Sequence, residues 1–276
     1  MGGGRSGLPA PDSAARLLPA GCGSKVKYRM CGRFALVQGP KELEDVFGVA
    51  EVEDFPPRYN IAPTQPVLVV AAGPRRDPGS NLPERQAMLA RWGFIPSWVK
   101  DTGAFPLLIN ARAETAAAKA SFKAAMRHRR VLLPASGFYE WKGTGRKDAQ
   151  PYWVRPRHGG VVAFGGLLET YIEPGGSEID TAAILTCAAN RAIAHIHHRM
   201  PVVVQRRDFG RWLDCVNNEP RDVADIVRPV DDDFFEAIPV SDKVNKVANA
   251  GPDLQQPVEE PAAAPAKPEV GQLSLF

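Results

Sequence analysis

Residues 131–187 read VLLPASGFYEWKGTGRKDAQPYWVRPRHGGVVAFGGLLETYIEPGGSEIDTAAILTC. Five short runs of apolar, β-branched and aromatic residues follow one another here, and loops rich in glycine, proline or charged residues separate them. Runs of this composition, bounded by turn residues, predict strands. The predicted strands span 131–133, 137–141, 152–154, 160–168 and 181–187.

The rest of the chain mixes strand-like and helical patterns without regular alternation. Further strands are predicted at 67–71, 86–92 and 234–239. Helices are predicted at 40–47, 113–126, 208–215 and 221–227, and the alanine-rich segment 113–126 has the best helical pattern. Many short strands with few helices predict the α+β class. We expect a single domain on a curved or barrel-like, mainly antiparallel sheet with a few flanking helices.

Both ends of the chain differ in composition from its middle. Residues 1–29 are rich in glycine, alanine and proline and have no period, which predicts a disordered leader or a misassigned start. The body spans 30–247. Residues 248–276 are predicted to be a flexible tail, in which the proline- and alanine-rich stretch 251–269 forms a semi-extended tether.

Composition excludes several classes of protein. No apolar run approaches the roughly 18 residues that span a membrane, so we expect no membrane partner. The four cysteines form no CxxC pair and no disulfide framework, which favours a cytoplasmic protein. The net charge of +3 is small for 276 residues, so any nucleic-acid binding must use a local basic patch.

Three of the five histidines cluster at 195–198 and raise the question of a metal site. In an extended segment, however, only His195 and His197 would share a side, and no cysteine or carboxylate stands at metal-site spacing. We therefore predict neither a metal nor another cofactor.

Cys31 lies in Met30-Cys31-Gly32-Arg33-Phe34, a segment that looks like the start of a protein. The amine and thiol of an N-terminal cysteine share one Cα, and together they can close on an aldehyde as a thiazolidine ring. An internal cysteine cannot do so, because its nitrogen belongs to an amide. Such chemistry would require a true start at Met30, which we favour, or cleavage after Met30.

Five more segments contain aromatic, amide, charged or histidine side chains in combinations that are unusual for loops and strand ends. With the segment around Cys31 they make six motifs in a fixed order over about residues 30–240, and together they closely resemble the SRAP (SOS response-associated peptidase) family. The five are Tyr59-Asn60-Ile61-Ala62-Pro63-Thr64, the Trp-Gly-x-x-Pro-x-Trp stretch at 92–98, Ile109-Asn110-Ala111-Arg112-Ala113-Glu114-Thr115, residues 134–141 and His197-x-Arg-Met-Pro.

The resemblance implies an enzyme that attaches itself to abasic sites in single-stranded DNA during replication and the SOS response. It implies a nucleophile at Cys31, an amide at Asn110, a carboxylate at Glu140 and a histidine at His197. These residue types suit the reaction. An α-amine with a pKa of about 7.7–8.0 forms a Schiff base with the sugar aldehyde, and the thiol then closes the ring. Burial would raise the pKa of Glu140 toward general acid–base use.

Contacts to DNA follow from the same motifs. We expect Arg33 and Arg112 to hold phosphates beside the lesion. Pro63, Trp92 and Trp98 would wedge against or stack on bases. Asn60, in the same motif as Pro63, is also expected at the DNA. For the three arginines Arg127, Arg129 and Arg130, a solvated face and a DNA contact are equally favoured.

The C-terminal pentapeptide resembles the bacterial motif that binds the sliding clamp. Gln272 would supply hydrogen bonds, and Leu273, Leu275 and Phe276 would supply apolar anchors. This implies a bacterial protein that works at the nucleoid, with a clamp as partner. The sequence leaves the oligomeric state open.

Two other functions remain as alternatives. One is a cysteine peptidase that acts mainly by cleaving itself before Cys31, and the other is a non-catalytic, clamp-tethered binder of single-stranded DNA. Schiff-base chemistry also permits β-elimination, so lyase activity is a further expectation for the first function. Mass spectrometry after mixing with abasic DNA separates an adduct, a trimmed protein and an unchanged protein.

Overall fold

The computed structural model describes residues 32–74, 79–143 and 149–259. Their strands are β1 Arg33–Leu36, β2 Arg58–Ile61, β3 Pro66–Ala72, β4 Arg85–Trp92, β5 Asn110–Arg112, β6 Arg130–Ala135, β7 Gly137–Lys142, β8 Gln150–Pro156, β9 Val162–Ile172, β10 Glu178–Ala188, β11 Arg199–Pro201, β12 Val203–Val204 and β13 Phe235–Pro239. The α-helices are α1 Pro40–Phe47, α2 Ala113–Ala116, α3 Lys123–His128, α4 Arg191–Ala194 and α5 Phe209–Leu213. Short 3₁₀ helices span Arg206–Asp208, Pro220–Val223, Asp242–Asn245 and Pro252–Gln255.

Five strands form a closed circuit. β10 pairs with β4, β4 with β3, β3 with β6, β6 with β9, and β9 returns to β10. Only the β10–β4 pair in this circuit is parallel. Side chains of these strands, such as Val69, Leu132 and Phe164, are fully buried. The predicted α+β fold with a barrel-like, mainly antiparallel sheet is therefore confirmed.

A second, fully antiparallel sheet packs on the barrel in the order β13-β8-β7-β1-β2. Phe34 of β1 and Phe138 of β7 both meet Phe164 of the barrel edge-on, with ring centroids 6.3 and 6.0 Å apart. Because successive strand residues face opposite sides, Ala35 and Tyr139 point away from the barrel. They belong to a smaller core cluster on the outer face of this sheet.

The predicted helix at 113–126 is wrong in its middle. The chain forms α2 and α3 there, with turns between them. Ala116 and Phe122 are both buried, and Phe122 packs against Phe94 at a centroid distance of 5.3 Å. In one continuous helix these two residues would lie about 120° apart around the axis, so the break lets both reach the core.

The packed part of the chain extends past the predicted boundary at 247. Leu254, in the last 3₁₀ helix, is fully buried in the smaller cluster. Val240 bridges to Pro257, and the Val258 amide donates to the Pro239 carbonyl at 3.0 Å. A flexible tail from 248 is therefore excluded for residues 248–258. Among the helices in the described ranges, none has the length and apolarity of a membrane span.

Candidate active site

The beginning of β1 lies beside Glu140. Arg33 pairs with Tyr139, the residue before Glu140 on β7. Glu140 is only 3% exposed, although it carries a carboxyl group. Cys31, two residues before β1 begins, lies outside the described residues. The fold thus holds a buried carboxyl group next to the point where the chain enters the second sheet.

His197 reaches the same place from the barrel. It follows α4, whose first turn is capped by the Asn190 side chain accepting from the Ile193 amide. Its Nδ1 lies 4.0 Å from Glu140 Oε1, and the Arg199 amide donates to Nδ1 at 3.1 Å. Burial lowers the pKa of His197. The hydrogen bond to the Arg199 backbone raises it by less than burial lowers it, and the charges of His198 and Arg199 lower it further. The imidazole is therefore neutral over a wider pH range than in solution.

Glu140 and His197 form a pair of groups that can transfer protons. A separation of 4.0 Å is longer than a direct hydrogen bond, so a small ring movement or one water would complete the transfer path. Because the histidine stays neutral, it can accept a proton as well as pass one on. This is the arrangement that general acid–base chemistry needs.

Asn110 and Arg112 lie on β5, which pairs in parallel with β10. Ala111 between them is buried, so both side chains point to the other side of the strand, and Arg112 is exposed. Thr186 of β10 pairs with Arg112 on one edge and with Pro201 of β11 on the other. The segments that carry Asn110 and His197 therefore flank one and the same barrel strand.

Three residues expected at DNA make hydrogen bonds within the fold. The Arg33 guanidinium donates to Asn60 Oδ1 at 2.8 Å and to the Val244 carbonyl at 2.7 Å. The Asn60 amide group donates to three backbone carbonyls in the segment 244–249. Trp92 is fully buried, and its Nε1 donates to the Ile109 carbonyl at 2.9 Å. Base stacking by Trp92 is thus excluded in this structure, because the ring belongs to the core.

The other predicted DNA residues remain at the surface. Pro63 is half-buried, and Trp98 is 57% exposed. Trp98 meets Phe105 edge-on at 5.6 Å, and with Lys100 these rings line a shallow cavity of about 200 Å³. Trp98, Lys100 and Phe105 belong to the loop 95–107. The β-bridge between Phe94 and Leu108 closes this loop just before β5.

The basic cluster at the end of α3 is engaged within the protein. Arg127 pairs with Glu219 at 2.7 Å, and Arg129 pairs with Glu169 at 2.8 Å. Arg130 is buried and donates to four backbone carbonyls. These bonds favour a structural role over the DNA contact that the sequence left open.

Comparison with known proteins identifies the family of the chain. Residues 30–247 match the family described as SOS response associated peptidase (SRAP). The chain belongs to the SRAP family. The abasic site processing protein YoqW of Bacillus subtilis is 35% identical over 228 residues, which are 82% of this chain and 98% of YoqW. The abasic site processing protein YedK of Escherichia coli is 32% identical over 237 residues, which are 83% of this chain and all of YedK.

A vertebrate SRAP protein and solved structures are also similar. Abasic site processing protein HMCES of Gallus gallus is 28% identical over 268 residues, covering 83% of this chain and 78% of HMCES. A crystal structure from Bacteroides thetaiotaomicron superposes with a TM-score of 0.71 at 20% identity, covering 83% of this chain and all of that one. A crystal structure from Bordetella bronchiseptica superposes with a TM-score of 0.64 at 23% identity, covering 76% of this chain and all of that one. These two structures support the fold alone.

Two further residues of the SRAP motifs join the site. Arg199 is 8% exposed and forms a two-pronged ion pair with Glu114, at 2.6 and 2.8 Å. Both residues stand in motifs that the sequence singled out, but their roles were missed. In the sequence, only the opposite charges of Arg199 and Glu114 could have indicated the pair. Those charges are informative only when it is known that both motifs pair with β10.

Proposed function

We propose that this chain captures abasic sites in single-stranded DNA as a thiazolidine crosslink formed by an N-terminal Cys31. The observation that carries the proposal is the pair of Glu140 and His197, 4.0 Å apart, beside the strand that begins two residues after Cys31. Relatives such as YoqW and YedK, which are named abasic site processing proteins, support it.

The proposed reaction joins one amine and one thiol to one aldehyde. The ring-opened sugar presents C1′ as an aldehyde, the Cys31 amine attacks it, and the resulting carbinolamine loses water to give an imine. The thiol sulfur then bonds to C1′, and its proton passes to the nitrogen. The net change is the loss of one water. The reaction needs a mature chain that begins at Cys31, because only then is the amine free.

The site residues would divide the proton transfers between them. Glu140, buried beside the entering strand, would protonate the departing hydroxyl group. His197, whose neutral ring can first accept a proton, would then pass that proton to the sugar oxygen during ring opening and would assist reversal. Asn110 would orient the amine or the sugar without titrating. Withdrawal of a proton from C2′ of the imine would instead give β-elimination and strand cleavage, the expected lyase side reaction.

The deciding experiment is intact mass spectrometry of the chain starting at Cys31 with an abasic oligonucleotide. We expect an adduct equal to protein plus DNA minus one water, stable without borohydride. Cys31→Ala should abolish it, whereas Cys215→Ala, at a half-buried thiol in the loop after α5, should not. An adduct that survives Cys31→Ala would overturn the proposal. A trimmed protein without adduct would favour the peptidase, and unchanged protein that still binds DNA would favour the simple binder.

We propose that Arg112 holds a phosphate next to the lesion, since its side chain is exposed two residues after Asn110. Arg112→Ala should weaken binding of single-stranded DNA and flatten the slope of log K against log salt by about 0.7. Arg127→Ala is the matched control, because Arg127 is also exposed but pairs with Glu219. Equal salt slopes in wild type and Arg112→Ala would contradict the assignment.

We also propose that the C-terminal tail binds a bacterial sliding clamp and so brings the enzyme to replicating DNA at the nucleoid. Gln272, Leu273, Leu275 and Phe276 lie outside the described residues. From Glu259, the last described residue, thirteen steps of chain give a reach of at most about 45 Å to Gln272. Calorimetry of the full chain with a clamp should show binding that a Leu273→Ala, Phe276→Ala double variant loses. No heat from the unaltered chain would refute the idea.

A further inference from the structure

We propose that Glu114 is a positioning residue for His197, acting through Arg199. The inference rests on the proposed function only in so far as His197 takes part in the reaction. Glu114 does not touch His197, and its influence would pass through the residue whose backbone holds the ring.

Arg199 is fixed by bonds from two directions. Its guanidinium donates to both carboxylate oxygens of Glu114, at 2.6 and 2.8 Å. The same group donates to the backbone carbonyl of Thr186 and, at 3.3 Å, to the Thr186 hydroxyl. A two-pronged pair of this kind restrains both the orientation and the position of the arginine. The side chain thereby locks residue 199 against β10.

Two backbone groups of Arg199 contact Nδ1 of His197. The Arg199 amide donates to Nδ1 at 3.1 Å, and the Arg199 carbonyl oxygen lies 3.3 Å from the same atom. When Nδ1 of the neutral ring accepts from the amide, the proton resides on Nε2. After protonation, Nδ1–H faces the Arg199 carbonyl and Glu140 Oε1 instead. The backbone of residue 199 thus offers Nδ1 a partner in both protonation states.

The Glu114 carboxylate also compensates the positive charge of Arg199. The charged and titratable groups that face His197 in the described residues are Glu140 on β7, His198 beside it and Arg199 on β11. The bond from Arg199 holds the pKa of Glu114 below its usual range, so its carboxylate is ionised wherever the histidine titrates. Removal of that negative charge would leave the arginine uncompensated and would disfavour the imidazolium form.

The test is Glu114→Gln, a change of nearly equal size at a side chain that is 51% exposed. Two quantities are measured: the pH midpoint of His197 by NMR, and the single-turnover crosslinking rate from pH 5 to 8. We expect the midpoint to move to lower pH and the rate at pH 7 to fall about tenfold, as for a misplaced acid–base group. Glu114→Asp should restore part of both.

The control is Glu219→Gln, which breaks the exposed pair with Arg127 and should leave the His197 midpoint and the rate unchanged. An unaltered midpoint and rate profile in Glu114→Gln, even with lower thermal stability, would show a merely structural ion pair and overturn the inference. If the wild type forms no crosslink, the proposed function fails, and the NMR midpoint still decides the role of Glu114.

Discussion

The side chains of Arg33 and Asn60 are joined by a hydrogen bond of 2.8 Å, and both also donate to backbone carbonyls of the segment 244–249. Arg33, the first residue of β1, is thus fastened directly and through Asn60 to a segment more than 180 positions later. A residue type that sequence alone associates with phosphate binding here connects the two ends of the domain.

Asn60→Ala should therefore destabilise the domain more than an ordinary polar substitution. It removes the donor to the carbonyls of Val244, Lys246 and Asn249 and leaves Arg33 without its Oδ1 partner. Unsatisfied groups at a buried position cost about 1–3 kcal/mol, so we expect a loss of about 2–3 kcal/mol in chemical denaturation. Asn217→Ala, at an exposed asparagine bonded to Asp214, is the control and should cost less than about 0.5 kcal/mol.

The segment after 247 should be required for stability even though the family match ends there. Truncation after Val247 removes Leu254 and uncovers the cluster that contains Tyr139 and Trp153. The single change Leu254→Ala should already cost about 2–5 kcal/mol, because the side chain is fully buried. A matched Val247→Ala change, at a residue that is 43% exposed, should cost little. Equal melting temperatures for the truncated and full chains would contradict the assignment.

Local pattern was enough to predict most strands, and non-local contacts explain what it missed. The predicted strand at 86–92 is β4 Arg85–Trp92, since its residue types alone favour an extended chain. Closure of the barrel depends on the parallel pair of Arg91 with Thr181, ninety positions apart, which no local pattern contains. The break at 117–122 has a similar cause, because the packing of Phe122 against Phe94 overrides a favourable helical composition.

The candidate site was predicted by residue identity and not by geometry. Motif order pointed to Glu140 and His197, and the structure brings those two within 4.0 Å. The same reasoning placed Trp92 at DNA, where an indole is chemically suitable. Whether an indole faces solvent or core depends on which sheet covers it, and here Phe34 of the second sheet packs on it at 5.1 Å.

Trp92 and Trp98 should consequently respond to mutation in opposite ways. Trp92→Ala should cost about 3–5 kcal/mol of stability, because a fully buried ring leaves a large cavity. Trp98→Ala should leave stability nearly unchanged and should weaken binding of single-stranded DNA by about 1–3 kcal/mol if a base stacks on the exposed ring. Fluorescence anisotropy with a short oligonucleotide and thermal unfolding measure the two effects. Unchanged affinity in Trp98→Ala would remove this ring from the proposed DNA surface.

His197 should make the domain less stable in mild acid. Burial lowers its pKa in the folded chain, whereas in the unfolded chain it returns to about 6.5. Below pH 6.5 the unfolded chain therefore binds more protons at this residue, and the free energy of unfolding falls until the pH passes the lowered pKa. The contribution is fully present above pH 6.5. Denaturation at pH 7.5 and 5.5 should show a larger loss for the wild type than for His197→Gln, which cannot titrate. Equal losses would mean that the folded-state pKa of His197 is not lowered, and with it the neutral imidazole beside Glu140 would lose its physical basis.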